Sequence, residues 1–151
     1  MRKRKSWREK MQNPELPKLV PVFPKMQARF GNVPMLIPSP TEVEECIRAI
    51  PQGRTTTVTR IRDDLARKHL VQVTCPLTTG MFVRIAAEAA EEDARAGRAE
   101  ITPYWRVVKD DGSLYEKFPG GVERQKERLR LEGHRIVRGR NGRLRVAVES
   151  A

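Results

Sequence analysis

The 151 residues suffice for one ordinary domain and carry 30 Lys+Arg against 19 Asp+Glu, a net charge of +11 with a pI near 10.4. That balance favours a polyanionic partner, nucleic acid ahead of an anionic membrane surface, over solubility alone. No apolar run approaches the ~18 residues of a spanning helix, and the basic start "MRKRKSWREK" has no apolar segment behind it, so neither a membrane span nor a secretory leader is expected.

Residues 1–38 are rich in Lys, Arg and Pro. Pro14, Pro17, Pro21, Pro24, Pro34 and Pro38 argue against a long helix or a central strand. The segment reads as a basic arm that wraps the body or stays mobile, with "VPVFP" and "MLIP" supplying residues that could dock. The body opens at "SPTEVEECIRAI", where Ser39 and Glu42 form a capping box and Pro40 suits a first helical turn. Val43, Ile47 and Ile50 recur at helical spacing. "PQGR" ends that helix, and a second begins near a Thr57 cap with Val58, Ile61 and Leu65 on its apolar side.

A turn-rich link, "LVQVTCPLTTG", leads to "MFVRIAAEAAEEDARAG", a third helix stopped by Gly97. Two helices joined by a compact link have the form of a helix-turn-helix. The third helix is polarised: Thr78, Thr79, Gly80 and Arg84 stand first, then Glu88, Glu91, Glu92 and Asp93. Acidic residues at a helix C-terminus oppose the dipole and repel phosphate, so only the N-terminal half is expected near DNA. Arg84 either reaches DNA or pairs with Glu88 one turn on.

Next comes "ITPYWRVV". On an extended strand successive side chains alternate faces, so one ring of Tyr104 and Trp105 would enter the core and the other would need another destination. Turns follow at Asp111-Gly112 and Gly120-Gly121, then a basic helix, "VERQKERLRLEG", ending at Gly133. Asn141-Gly142 between alternating segments, with Leu144, Val146 and Val148 on one face, signals a hairpin. Its arginines Arg135, Arg138, Arg140, Arg143 and Arg145 either guard a solvated edge or contact phosphate. Cys46 and Cys75 lie far apart without metal-ligand spacing, so reduced, packed thiols are expected in a cytoplasmic protein, one compatible with nucleoid association.

"IRAIPQGRTTTVTRIRDDLA", a helix, and then "TPYWRVVKDDGSLYEKFPGGVERQKERLRLEG" resemble the DNA-binding and catalytic domain of the methylated-DNA–protein-cysteine methyltransferases over residues 39–133. The family's order is a Pro-x-Gly entry to a helix-turn-helix, Pro-Cys-His-Arg-Val, a Gly-Gly loop and a terminal Leu-Glu-Gly. The resemblance implies a cysteine that takes an alkyl group from guanine after a histidine, oriented by a glutamate, makes it a thiolate. Here those positions hold Tyr104 and Trp105, and Glu132 matches the glutamate with no histidine to orient. A phenol with a pKa near 10 does not replace a thiolate, so alkyl transfer is not expected. Cys75, on the link, reads as a packed thiol.

The chain is similar in this loss to the alkyltransferase-like proteins, which bind alkylated DNA without repairing it and pass the lesion to other proteins. The resemblance therefore implies duplex DNA as partner, a downstream protein partner, and a base pocket made of Tyr104, Trp105, Arg106, Phe118, Pro119 and Gly120. The rings there could stack on a base or plug the pocket. DNA-contacting candidates are Thr57, Thr59, Arg60, Thr78, Thr79, Gly80 and Arg84, the last standing nearest the family's inserted arginine. Val58 replaces a tyrosine that helps rotate the nucleotide, and "RAGRAE" replaces an asparagine hinge. The expected fold is mainly α with short strands, a winged-helix-like helix-turn-helix domain at 39–133 between the arm at 1–38 and a basic β-hairpin extension at 134–151, monomeric, with no metal and no cofactor. Two further readings stay open: an RNA or general nucleic-acid-binding module, and a methyltransferase-family enzyme with altered chemistry at Cys75 or Tyr104.

Overall fold

The computed structural model describes residues 4–147, and the protein is mostly helical with short strands. In chain order the elements are α1 (Trp7–Lys10), β1 (Lys18–Pro21), α2 (Pro24–Phe30), β2 (Pro34–Ile37), α3 (Pro40–Arg48), β3 (Thr56–Thr57), α4 (Val58–Lys68), β4 (Val73–Thr74), α5 (Pro76–Arg95), β5 (Val107–Val108), α6 (Gly121–Leu131), β6 (Ile136–Arg138) and β7 (Leu144–Val146), with a 3-10 turn at Tyr104–Arg106. Among the described residues no helix is long and apolar enough to cross a membrane.

The expected helix starts are present. Ser39 accepts from Glu42 N while the Glu42 carboxylate accepts from Ser39 N, closing both halves of the capping box. Thr57 accepts from Arg60 N at the start of α4. The long helix begins earlier than its apolar spacing predicts, at Pro76, because proline is tolerated at a first turn and Thr78 to Gly80 continue the helix.

That helix organises the molecule. Ala86, Ala87, Ala89 and Ala90 are fully buried, so α3 and α1 can lie close against α5. Val43 and Ile47 of α3, Ile61 and Leu65 of α4, Val107, Leu114 and Leu129 complete one core. Burying each such side chain is worth about 1.5–3 kcal/mol before conformational entropy is counted.

The basic arm departs from expectation. Its residues 4–38 hold two short helices and two strands, and β2 is central in a three-stranded sheet of order β1-β2-β4. Proline density failed to exclude a central strand because β2 is only four residues long. Pro34 opens it and Pro38 follows it, so Met35 to Ile37 keep their N–H groups for pairing. A second apolar cluster, Val22, Met35, Val73 and Cys75, lies beneath this sheet. Cys75 is therefore a packed thiol, as the sequence led one to expect, and does not face the Tyr104 region as a replacement nucleophile.

The arm is also tied down at its start. Trp7 N and Arg8 N each donate to the Glu92 carboxylate at 3.0 Å, and the Arg8 guanidinium bridges Glu44 and Asp93. The C-terminal hairpin forms as its turn signal predicts, with Ile136 opposite Val146 and Arg138 opposite Leu144. Val148, expected on its apolar face, lies outside the described residues.

Candidate nucleic-acid interface

Tyr104 and Trp105 do not sit on a strand. Residues Tyr104–Arg106 form a 3-10 turn, and only Val107–Val108 are extended, pairing in parallel with β3. Without strand alternation both rings turn inward. Tyr104 is 0% exposed and Trp105 is buried, correcting the expectation that one ring would remain outside the core.

At Tyr104, the position resembling the family's acceptor cysteine, the phenol hydroxyl donates to Glu91 Oε1 at 2.6 Å. Glu91 is buried and also accepts from Arg124 Nη2 at 3.1 Å and Arg128 Nη2 at 2.7 Å. Burial alone would raise the Glu91 pKa; the Tyr104 hydrogen bond and the charges of Arg128 and Arg124 outweigh it and hold this carboxyl below the usual range. Burial first, and the Glu91 hydrogen bond and charge next, push the Tyr104 phenol well above its ordinary value. A phenol so held is neither nucleophile nor base.

Aromatic contacts fill the surrounding volume. The Tyr104 ring meets Trp105 and Phe118 edge-on at 5.4 Å, and Phe118 stacks on Tyr115 at 4.5 Å. The Arg128 guanidinium carbon lies 4.5 Å from the Trp105 ring centroid. Beneath the rings, Gln125 donates to the Trp105 and Val107 carbonyls and accepts from Tyr115 N. Gly120 takes a left-handed φ of +77°, and a Cβ there would meet Arg124 Cδ at 2.5 Å, so this glycine lets Arg124 cover Glu91.

The expected base pocket is thus not an open pocket. Tyr104 and Phe118 are core residues, while Pro119 and Gly120 border them. Trp105 and Arg106 line a separate 740 Å³ cleft with Arg48, Arg98 and Arg128. Nor is Glu132 orphaned. It accepts from the Trp105 indole N–H at 3.0 Å and from Arg106 Nη2 at 2.8 Å, while Arg106 Nη1 donates to the Ile50 carbonyl. Burial pushes the Glu132 pKa up, and the Arg106 and Trp105 hydrogen bonds more than reverse it. The indole N–H occupies the role the sequence comparison left empty, because a tryptophan, like a histidine, presents a ring N–H to an acceptor.

The residues expected to meet DNA divide in two. Arg84 is exposed, no ion pair joins it to Glu88 among the described residues, and Gly80 is partly exposed beside it; Thr78 is half-buried with its hydroxyl oxygen turned inward and unpartnered. Thr79 is instead fully buried and its hydroxyl donates to the Cys75 carbonyl at 2.6 Å, so it cannot also serve a phosphate. At α4, Thr57 is the cap, Thr59 donates to Asp110 at 3.0 Å, and the exposed Arg60 pairs with half-buried Asp64. Two exposed apolar side chains escaped the sequence reading: Leu77 and Met81, 66% and 58% exposed, share a stripe with Arg84 at helical spacing. Glu91, Arg124, Arg128, Tyr115 and Gln125 also escaped it, since they come together only through long-range packing.

The family model described as 6-O-methylguanine DNA methyltransferase, DNA binding domain, matches residues 38–134, and the chain belongs to this family. Among solved structures the chain is similar to S. pombe Atl1 in complex with damaged DNA containing O6-carboxymethylguanine, at 23% identity, TM-score 0.46, covering 72% of this chain and 87% of that one. It is also similar to S. pombe ATL in complex with DNA, at 21% identity and TM-score 0.49 over the same shares. No curated protein sequence matches it.

Proposed function

We propose that this is a non-enzymatic DNA-binding protein of the alkyltransferase-like kind, which engages duplex DNA in a repair setting and recognises alkylated guanine without taking the alkyl group. The observation that carries this reading is the closed, non-nucleophilic acceptor position: Tyr104 is buried with its hydroxyl on Glu91, inside a domain of the methyltransferase family. Supporting it are the net charge of +11 and the exposed Arg84 on the N-terminal half of α5. We read α3, α4 and α5 over the short β3–β5 strand pair as a winged-helix-like helix-turn-helix domain, with α4 and the start of α5 toward the duplex and Arg84 as the side chain that enters the stack. Leu77 and Met81 lie along the same stripe and suit apolar contact with sugars or bases.

Admitting an extruded base requires Phe118 and Arg124 to withdraw. Arg124 is 48% exposed and the Gly120-Gly121 pair between Phe118 and Arg124 stands at positive φ, so the movable wall is the 118–124 side. The experiment is fluorescence anisotropy with two duplexes, one plain and one carrying O6-methylguanine, over a salt series, followed by intact-mass measurement of the protein. Tighter binding to the alkylated duplex at every salt concentration, with no mass gain, is the expected result. Equal affinity would remove lesion recognition and leave a general DNA-binding protein; a mass gain of one methyl group would overturn the non-enzymatic reading.

A further inference from the structure

Residues 134–147 contain Arg135, Arg138, Arg140, Arg143 and Arg145 and no aspartate or glutamate. Five of the positive charges on a chain of net +11 thus stand in one short segment, and the family match ends at residue 134, where that segment begins. Among the described residues none of the five forms an ion pair. Arg135, Arg138, Arg140 and Arg143 are exposed. Asp111 lies within Coulombic reach of Arg143 and Glu123 within reach of Arg138, so each offsets part of one charge without pairing with it.

The hairpin is held rather than trailing. Ile136, Leu144 and Val146 pack against the main core. Val146 N donates to the Gly112 carbonyl at 3.0 Å, and Leu114 N donates to the Leu144 carbonyl at 3.1 Å. The 109–114 turn that receives it is bound in turn to the first residues of α4, through Thr59 Oγ1 and Asp110 Oδ2 at 3.0 Å. Arg138 Nη1 donates to the Gly142 carbonyl at 2.6 Å, which stiffens the loop end. The cationic hairpin is therefore fixed to the 109–114 turn, which is itself tied to the first turn of α4.

We propose that the β6–β7 hairpin is a second anchor on the phosphate backbone of a duplex, which extends the DNA footprint beyond the family domain. The inference rests on the DNA-binding reading above and adds a surface to it. Exposed guanidiniums in no ion pair among the described residues, with no large exposed apolar side chain among them, suit phosphate oxygens, which they meet bidentately, better than they suit a protein interface, whose centre is apolar. Orientation on the duplex would then be fixed at two points, α5 and the hairpin, while lesion recognition stays with the family domain.

The test uses the full chain and a variant carrying Arg135→Gln, Arg138→Gln, Arg140→Gln and Arg143→Gln, which leaves half-buried Arg145 in place. Affinity for a plain duplex is measured by anisotropy from about 50 to 200 mM salt, with thermal melting as the folding control. The expected result is an unchanged melting temperature and a log-affinity against log-salt slope shallower by about 2–4, at ~0.9 per lost phosphate contact. An Arg84→Ala variant is expected to lower the slope by no more than about 1, independently of the hairpin changes. An unchanged slope in the quadruple variant, with the wild type still binding duplex, overturns the hairpin anchor alone. Loss confined to single-stranded RNA, with duplex binding intact, overturns it too. A wild type with no salt-dependent duplex binding overturns the DNA-binding reading itself.

Discussion

The two halves of α5 carry the same helix to opposite ends. In the first half Leu77, Met81 and Arg84 stand out into solvent along one stripe. The stripe continues through Glu88 to Glu91, two turns above Arg84, and there it is covered by Tyr104, Arg124 and Arg128. Charge alone misled about the second half. Its carboxylates were expected to repel phosphate from an exposed surface. Instead Glu91 holds the aromatic cluster, Glu92 caps α1 through Trp7 N and Arg8 N, and Asp93 pairs with Arg8. The acidic end is internal scaffolding, and the basic end is the free surface.

The sharpest way to break this contrast is to remove the ring at its centre. Tyr104→Ala should cost about 3–5 kcal/mol in urea unfolding, because it empties a packed ring site and strips a donor from Glu91. A loss below about 1 kcal/mol would mean the cluster is loosely packed. Glu91→Gln should cost less, about 2 kcal/mol, since Arg124 and Arg128 keep partial access to water. Its pH dependence has a definite sign. The folded Glu91 pKa is lowered, so its contribution is full above the unfolded value near 4 and is lost as pH falls through the lower folded value. The gap between wild type and variant should therefore narrow only in strong acid. A gap that narrows as pH rises would contradict the ion cluster.

The tyrosines give a subtler reading of the same region. The chain has two, Tyr104 and Tyr115, and burial pushes both above their ordinary values. A folded pKa raised in this way means stability that is complete below the unfolded pKa near 10 and is lost as pH rises above it. Absorbance titration should show no tyrosinate forming at the ordinary midpoint, and ionisation should accompany unfolding. A phenol that titrates normally in the folded protein would show that the cluster opens to solvent.

Much of the fold was legible because it was written in local chemistry. The Ser39–Glu42 box, the Thr57 cap and the Asn141-Gly142 turn each depend on neighbours a few residues apart. The family motifs also run in order over residues 39–133, and the family model matches 38–134. What stayed hidden depended on distant partners. The arm's central strand needs β4 some forty residues on, and Thr79 looks like a phosphate ligand until its hydroxyl is found on the Cys75 carbonyl. Glu132 has no histidine opposite it in the sequence, yet the Trp105 indole and Arg106, brought in by folding, take its oxygens. The loss of the acceptor cysteine was plain in "TPYWRVV"; the Glu91 cluster that replaced it was not, since Glu91 lies 13 residues earlier on another element.

The most direct test is duplex affinity of Arg84→Glu beside the wild type, with melting temperatures measured on both. Arg84 is exposed on the free half of α5, so the fold should be unaffected, within about 0.5 kcal/mol. Duplex affinity is expected to fall roughly tenfold or more at moderate salt, as a cation set against the polyanionic duplex becomes an anion. Unchanged affinity in a variant that melts like the wild type would show that the open half of α5 is not the surface that meets DNA.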